Sequence, residues 1–136
     1  MPEMMDIKEK RSLIIEARRA REASYSPYSH FSVGAAVLCD NGKIYRGCNI
    51  ENAAYSPTCC AERVALFSAV ADGERDFRAI AIVGDSAPCY PCGVCRQVMA
   101  ELCREDTEII LEKGDGEPDS LKLSELLPYA FKLEKN

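Results

Sequence analysis

The sequence predicts an α/β protein, a three-layer α/β/α sandwich in which helices cover both faces of a mixed five-stranded sheet. Three observations lead there. Helix-period and strand-period segments follow one another in the order α-β-β-α-β-α-β-β. Asp40-Asn41-Gly42 joins the first two strand runs as a hairpin, which makes those strands antiparallel. Phe77 to Val83 is apolar without alternation, as expected of a central strand covered on both sides.

The first element is an amphipathic helix over Asp6 to Ser24, with Leu13, Ala17 and Ala20 on one stripe, broken by Tyr25-Ser26-Pro27-Tyr28-Ser29. Strand runs follow at Phe31 to Cys39 and Lys43 to Asn49, linked through a type I′ turn at Asn41-Gly42, because Asn-Gly tolerates positive φ. That turn pairs position 39 with 44 and position 48 with 35, so Cys39 and Cys48 do not face each other for a bridge. An irregular stretch leads into a second helix, Cys59 to Ala71, stopped by Asp72-Gly73. Ala61, Val64, Ala65, Phe67 and Val70 make it apolar almost all round, which predicts burial on more than one side. After the central strand, Pro91 opens a third helix with Cys95, Val98, Met99 and Leu102 on one face. Glu108 to Glu112 is a fourth strand and Leu121 to Leu123 a fifth; Ser124 starts a brief final helix ended by Pro128.

At 136 residues the chain is expected to form one domain over 1–136, with no repeat or linker. Its 47% apolar content argues against disorder. The formal charge of −5, from 22 acidic and 17 basic residues, disfavours a nucleic-acid substrate. Arg18, Arg19 and Arg21 lie among Glu16 and Glu22, the pattern of a solvated helix face. There is no signal-peptide pattern and no apolar run long enough for a membrane span, so a cytoplasmic location is expected. In a reducing compartment, cysteines at Cys-x-x-Cys spacing are metal ligands or redox groups more often than disulfides.

Two separated motifs carry the chemistry: Cys60-Ala61-Glu62-Arg63, and later Pro91-Cys92-Gly93-Val94-Cys95. Cys60, Cys92 and Cys95 offer three thiolates, which suit a tetrahedral Zn²⁺ whose fourth position stays open for water. Cys60 and Cys92 stand where helices start, so the positive end of each helix dipole stabilises negative charge there. Glu62 lies two residues beyond a ligand and is placed to handle the protons of that water. A helix-stabilising role in the first turn is compatible with this but does not explain its place between a ligand and Arg63. Arg63 is expected to donate to a ligating sulfur and offset the surplus negative charge, since an arginine in so apolar a helix needs a specific partner. Cys59 adjoins Cys60 but points about 100° away around the helix, and Cys89 precedes Pro91 in an extended loop, so neither is chosen as a ligand. Cys39, Cys48, Cys59 and Cys103 read as small buried hydrophobes. Cys92 and Cys95 alone would equally suit a redox dithiol.

Several ordered motifs resemble the small, homotetrameric type of cytidine deaminase over nearly the whole chain. They are Phe31-Ser-Val-Gly-Ala-Ala, Arg46-Gly-Cys-Asn49-Ile-Glu51-Asn-Ala-Ala-Tyr55, Cys60-Ala-Glu-Arg-Val-Ala, Pro91-Cys-Gly-Val-Cys-Arg-Gln97 and Glu125-Leu-Leu-Pro. A related spacing, His-x-Glu with Pro-Cys-x-x-Cys, marks zinc-dependent nucleobase deaminases. The resemblance implies that one Zn²⁺ per subunit, on Cys60, Cys92 and Cys95, acidifies a water. Glu62 moves its proton to pyrimidine N3 and assists the leaving amine, so that cytidine or 2′-deoxycytidine becomes uridine or 2′-deoxyuridine plus ammonia. It further implies that Asn49 and Glu51 hold the ribose hydroxyls, that Phe31 walls the base, and that the Ala61 N–H donates to the pyrimidine carbonyl. Tyr55 and Phe131 would complete a neighbouring subunit's site within a homotetramer. Core packing is the plain alternative for Phe31 and Phe131. Tyr90, where relatives often carry a small residue, and Pro57-Thr58-Cys59 depart from the pattern, and Tyr90 bears on the pocket mouth. The rival activities are deamination of another small aminopyrimidine such as blasticidin S, polynucleotide deamination, and a zinc-stabilised binding module.

Overall fold

The computed structural model describes residues 4–135. Helix α1 (Ile7–Arg21) starts from Asp6, whose carboxylate accepts the Glu9 N–H at 2.8 Å while the Glu9 side chain returns to the Asp6 N–H. Leu13, Ile14, Ala17 and Ala20 bury its inner face. Outside, Arg11 pairs with Glu117, Arg18 with Glu112 and Arg46 with Glu16. Each such exposed pair contributes at most about 1 kcal/mol, whereas one fully buried Leu or Ile contributes about 1.5–3, so the apolar stripe seats the helix.

The strands are β1 (Gly34–Cys39), β2 (Ile44–Cys48), β3 (Phe77–Val83), β4 (Glu108–Glu112) and β5 (Pro118–Lys122), in the order β2-β1-β3-β4-β5. Only β3 and β4 run parallel; the other three pairings are antiparallel, which makes the sheet mixed as expected. Side chains divide by strand period. Ala35, Val37, Ile80, Ile82, Ile109 and Leu111 face one core, shared with α2 (Ala61–Ala71) and α3 (Gly93–Leu102). Ala36, Ala79, Ala81, Val83 and Ile110 face the other, under α1. A short α4 (Leu123–Leu126) follows β5 directly. The result is the three-layer sandwich.

Four details differ from expectation. The hairpin carries a three-residue loop: Gly42 takes the left-handed φ of +90° while Asn41 does not. The Gly42 N–H bonds the Cys39 carbonyl at 3.0 Å, and the Cys39 N–H bonds that of Lys43 at 2.9 Å. This is a type I turn followed by a left-handed glycine, not a type I′ turn. Asn41 is engaged instead through its side chain, which accepts the Lys43 N–H and donates to Glu74. The register therefore shifts by one, to Leu38↔Ile44 and Gly34↔Cys48, and Cys39 and Cys48 remain apart and unbridged. Second, β1 begins at Gly34, because the Phe31 carbonyl and the Val33 N–H bond the Asn49 side chain rather than a strand. Third, α2 and α3 begin later than expected. Cys60 and Cys92 are the extended N-cap residues, and Pro91 precedes the third helix instead of opening it. Fourth, β5 spans Pro118–Lys122 instead of Leu121 to Leu123, and the last helix begins one residue early.

Candidate metal centre

Two N-caps meet at one end of the sheet. Helix starts favour Ser, Thr, Asp or Asn, which bond the exposed N–H groups of the first turn. Cysteine stands there twice in this chain, and neither thiol makes a capping bond. Both sulfurs point at each other instead, with Cys60 Sγ and Cys92 Sγ 3.8 Å apart. Cys95, one helical turn on and fully buried, brings the third; all three Sγ atoms lie within 4.8 Å of one another. A tetrahedral ion with metal–sulfur bonds of about 2.3 Å requires sulfurs about 3.8 Å apart, so this donor set fits Zn²⁺. Among the described residues the cluster has no fourth protein ligand, which leaves a position for water. Cys89 and Cys59 stay outside the cluster.

Charge around the cluster is arranged for thiolates. The Cys60 thiol is drawn down to about 5 by hydrogen bonding from Cys95, then by Arg63 and Cys92. Cys95 moves the opposite way, chiefly through the same bond and through burial. Crowded thiols with no cation share protons, and a divalent ion removes that conflict. The Arg63 guanidinium reaches Cys60 Sγ at 3.4 Å and the Thr58 carbonyl at 3.4 Å. Its Nε is buried without a hydrogen-bond partner. Glu62 is 4% exposed, and burial above all pushes its carboxyl up to about 7. A carboxyl near neutrality both accepts and releases protons at physiological pH.

A cavity of about 240 Å³ opens on these groups. Cys60, Ala61, Glu62, Cys92, Asn49, Glu51 and Tyr90 are among its lining residues. The structure thus brings most of the expected site residues into one space. Phe31 is not among the lining residues. Its ring edge lies beside Gly84, where an added Cβ would sit 3.0 Å from the ring and 2.7 Å from Cys89 Sγ. Tyr55 lines an adjoining cavity of about 430 Å³, which shares Glu51 and Thr58 with the first. Tyr55 and Phe131 are 78% and 67% exposed. Val33, Thr58, Cys59 and Cys89 also line the cavity; the sequence assigns them no site role, having set Cys59 and Cys89 aside as ligands. Of the cysteines expected as buried filler, only Cys39 is fully buried.

Comparison with known proteins places residues 7–111 within the model described as "Cytidine and deoxycytidylate deaminase zinc-binding region". A cytidine deaminase of Sporosarcina psychrophila is 52% identical over 123 residues, 90% of either chain. One from Halalkalibacterium halodurans is 54% identical over 127 residues, 93% of this chain and 96% of that protein. The crystal structure of cytidine deaminase from Burkholderia pseudomallei superposes with a TM-score of 0.85 at 49% identity, covering 89% of this chain and 98% of that one.

Proposed function

The chain belongs to the cytidine and deoxycytidylate deaminase family, and on that premise we propose that it hydrolyses cytidine and 2′-deoxycytidine to uridine and 2′-deoxyuridine with release of ammonia. The observation that carries this reading is one cavity lined by Cys60 and Cys92 of the three-thiol cluster, by a buried Glu62, and by the sugar-type partners Asn49 and Glu51. Cys60, Cys92 and Cys95 hold one Zn²⁺ per subunit, and Arg63 moderates the charge of the Cys60 sulfur. Zinc, when bound there, acidifies water and stabilises the charge that develops on its oxygen.

Glu62 takes the proton of the attacking water and passes it to pyrimidine N3 as the water oxygen joins C4. It then takes the remaining proton from the C4 hydroxyl and delivers it to the exocyclic amine, so that the C4–O bond becomes a carbonyl as the C4–N bond breaks and ammonia departs with both electrons. Ala61 begins α2, so its N–H is one of the first-turn donors without an intrahelical acceptor; it donates to the pyrimidine carbonyl. Asn49 and Glu51, which line the cavity, bind sugar hydroxyls, and Phe31, outside that lining but beside Gly84 and Cys89, bounds the base once substrate is in place. The assembly is a homotetramer in which Tyr55 and Phe131 complete neighbouring sites, a reading supported by their exposure in the single chain. Eight free thiols suit the cytoplasm, and the reaction suits pyrimidine salvage. No helix among the described residues is long and apolar enough to cross a membrane.

The test follows cytidine by loss of absorbance in the cytosine band, beside blasticidin S and a cytosine oligonucleotide. Turnover of cytidine alone supports the reading; preference for either rival overturns it. In parallel, Cys60→Ser, Cys92→Ser and Cys95→Ser should each lose zinc while Cys89→Ser retains it. Equal zinc loss from the Cys89 variant would refute the ligand set.

A further inference from the structure

The side chain of Glu51 is already engaged. Its Oε1 accepts the Tyr28 N–H at 2.9 Å and the Ser29 N–H at 3.1 Å, and its Oε2 accepts the Ser29 hydroxyl. Successive backbone N–H groups converging on one anionic oxygen form the concave donor arrangement that favours anions. The turn is held elsewhere too. The Glu51 N–H bonds the Tyr25 carbonyl at 2.8 Å, and His30, next after Ser29, takes a left-handed φ of 56° with its N–H on the Ser26 carbonyl at 3.1 Å. An ionised carboxylate offers about four acceptor directions. Hydrogen bonds among the described residues fill three of them, and the direction left belongs to Oε2.

Glu51 also stands in the wall between two spaces, the site cavity of about 240 Å³ and the adjoining one of about 430 Å³. Ser29 lines the second space but not the first. Its hydroxyl therefore reaches Oε2 from a residue of the adjoining space and not from the lining of the site cavity. Without that bond, Oε2 is free to turn toward the larger space and be hydrated there. The carboxylate would then lose the preset orientation that makes a charge-assisted hydrogen bond strong.

We propose that Ser29 is a specificity-determining positioning residue: it fixes the Glu51 carboxylate so that one acceptor direction of Oε2 remains for a sugar hydroxyl. The inference rests on the nucleoside-deaminase reading and goes beyond it by assigning sugar selectivity to a residue that does not line the site cavity. Ser29 acts through Glu51 and has no part in the proton transfers of Glu62.

The experiment compares Ser29→Ala and Ser29→Thr with the unsubstituted zinc-loaded chain, on cytidine and on 2′,3′-dideoxycytidine, which lacks the 2′ and 3′ hydroxyls. For Ser29→Ala, KM for cytidine should rise about tenfold with kcat within about twofold, the signature of lost binding rather than lost chemistry. Its kcat/KM on the dideoxy substrate should stay within about twofold, because the ring hydroxyls that Glu51 would place are gone. Ser29→Thr keeps the hydroxyl and should restore cytidine KM. An unchanged cytidine KM in Ser29→Ala overturns the inference. So does an equal loss on both substrates, which would mark Ser29 as a support of the loop only. If the unsubstituted chain fails to turn over cytidine, the deaminase reading fails and this inference falls with it; turnover there, with Ser29→Ala unaltered, defeats the inference alone.

Discussion

Glu62 shows how position decides what a carboxylate does. Twenty-two acidic residues are present, and most are solvated or paired at the surface. Glu62 lies almost wholly buried two residues past a metal-ligand candidate, and its carboxyl is held up to about 7 mainly by that burial. Glu62→Gln preserves shape and the sulfur cluster but removes the proton carrier. The variant should keep full zinc content while kcat falls by roughly a hundred- to ten-thousandfold. Near-normal turnover by a zinc-replete Glu62→Gln would dismiss its role. At this scale the sequence is read by spacing, which is why Cys60, Glu62, Cys92 and Cys95 were visible in it. Ser29 was not, because a serine in a Tyr-Ser-Pro-Tyr-Ser turn has the composition of any turn. Its meaning comes only from the carboxylate folded back on it from residue 51.

At the level of elements, the site is a product of how closely α2 lies on β2. Gly47 makes that approach possible. A Cβ there would fall 2.4 Å from the Ala61 carbonyl oxygen and 2.4 Å from the Ala65 nitrogen, both backbone atoms that cannot rotate away. Gly47→Ala must push the helix start off the sheet, and Cys60, Ala61 and Glu62 go with it. We expect a loss of about 1–3 kcal/mol, measured by denaturant unfolding, together with faster zinc release to a chelator. A variant that unfolds like the parent and holds zinc equally long would show that α2 tolerates displacement. Element identity was legible from periodicity: α1, the hairpin, β3 and β4 lie where the pattern puts them. The turn was not, since Asn-Gly fits two loop geometries, and the choice came from the Asn41 side chain bonding Lys43 and Glu74. Helix starts were displaced for a related reason. Cysteines at the cap positions give no capping signal, because their thiols serve the metal cluster instead.

Across the whole molecule, the apolar surface of α2 remains only partly covered by its own chain. The sequence predicts burial on more than one side, yet Phe67 is 47% exposed, as are, more strongly, Tyr55 and Phe131. Tyr55 sits at a left-handed φ of 62°, a conformation disfavoured for a bulky residue unless neighbours fix it. The Asn52 carbonyl receives the Tyr55 N–H at 3.0 Å, and the Tyr55 carbonyl receives the Thr58 N–H at 2.8 Å, so the ring is held outward. Held-out aromatics of this kind match the homotetramer proposed above, in which one copy's Phe131 serves another copy's cavity. Subunit mixing tests this. Glu62→Gln retains Phe131 but has no working cavity; Phe131→Ala retains Glu62 but serves its neighbours poorly. Each homotetramer should be impaired, and sites in mixed assemblies that combine an intact Glu62 with a neighbour's intact Phe131 should regain turnover. Mixing, dissociation and reassembly of the two variants should therefore give more activity than the sum of the separate preparations. Activity equal to that sum, or a monomeric mass by light scattering in the active parent, would place Phe131 outside any shared site.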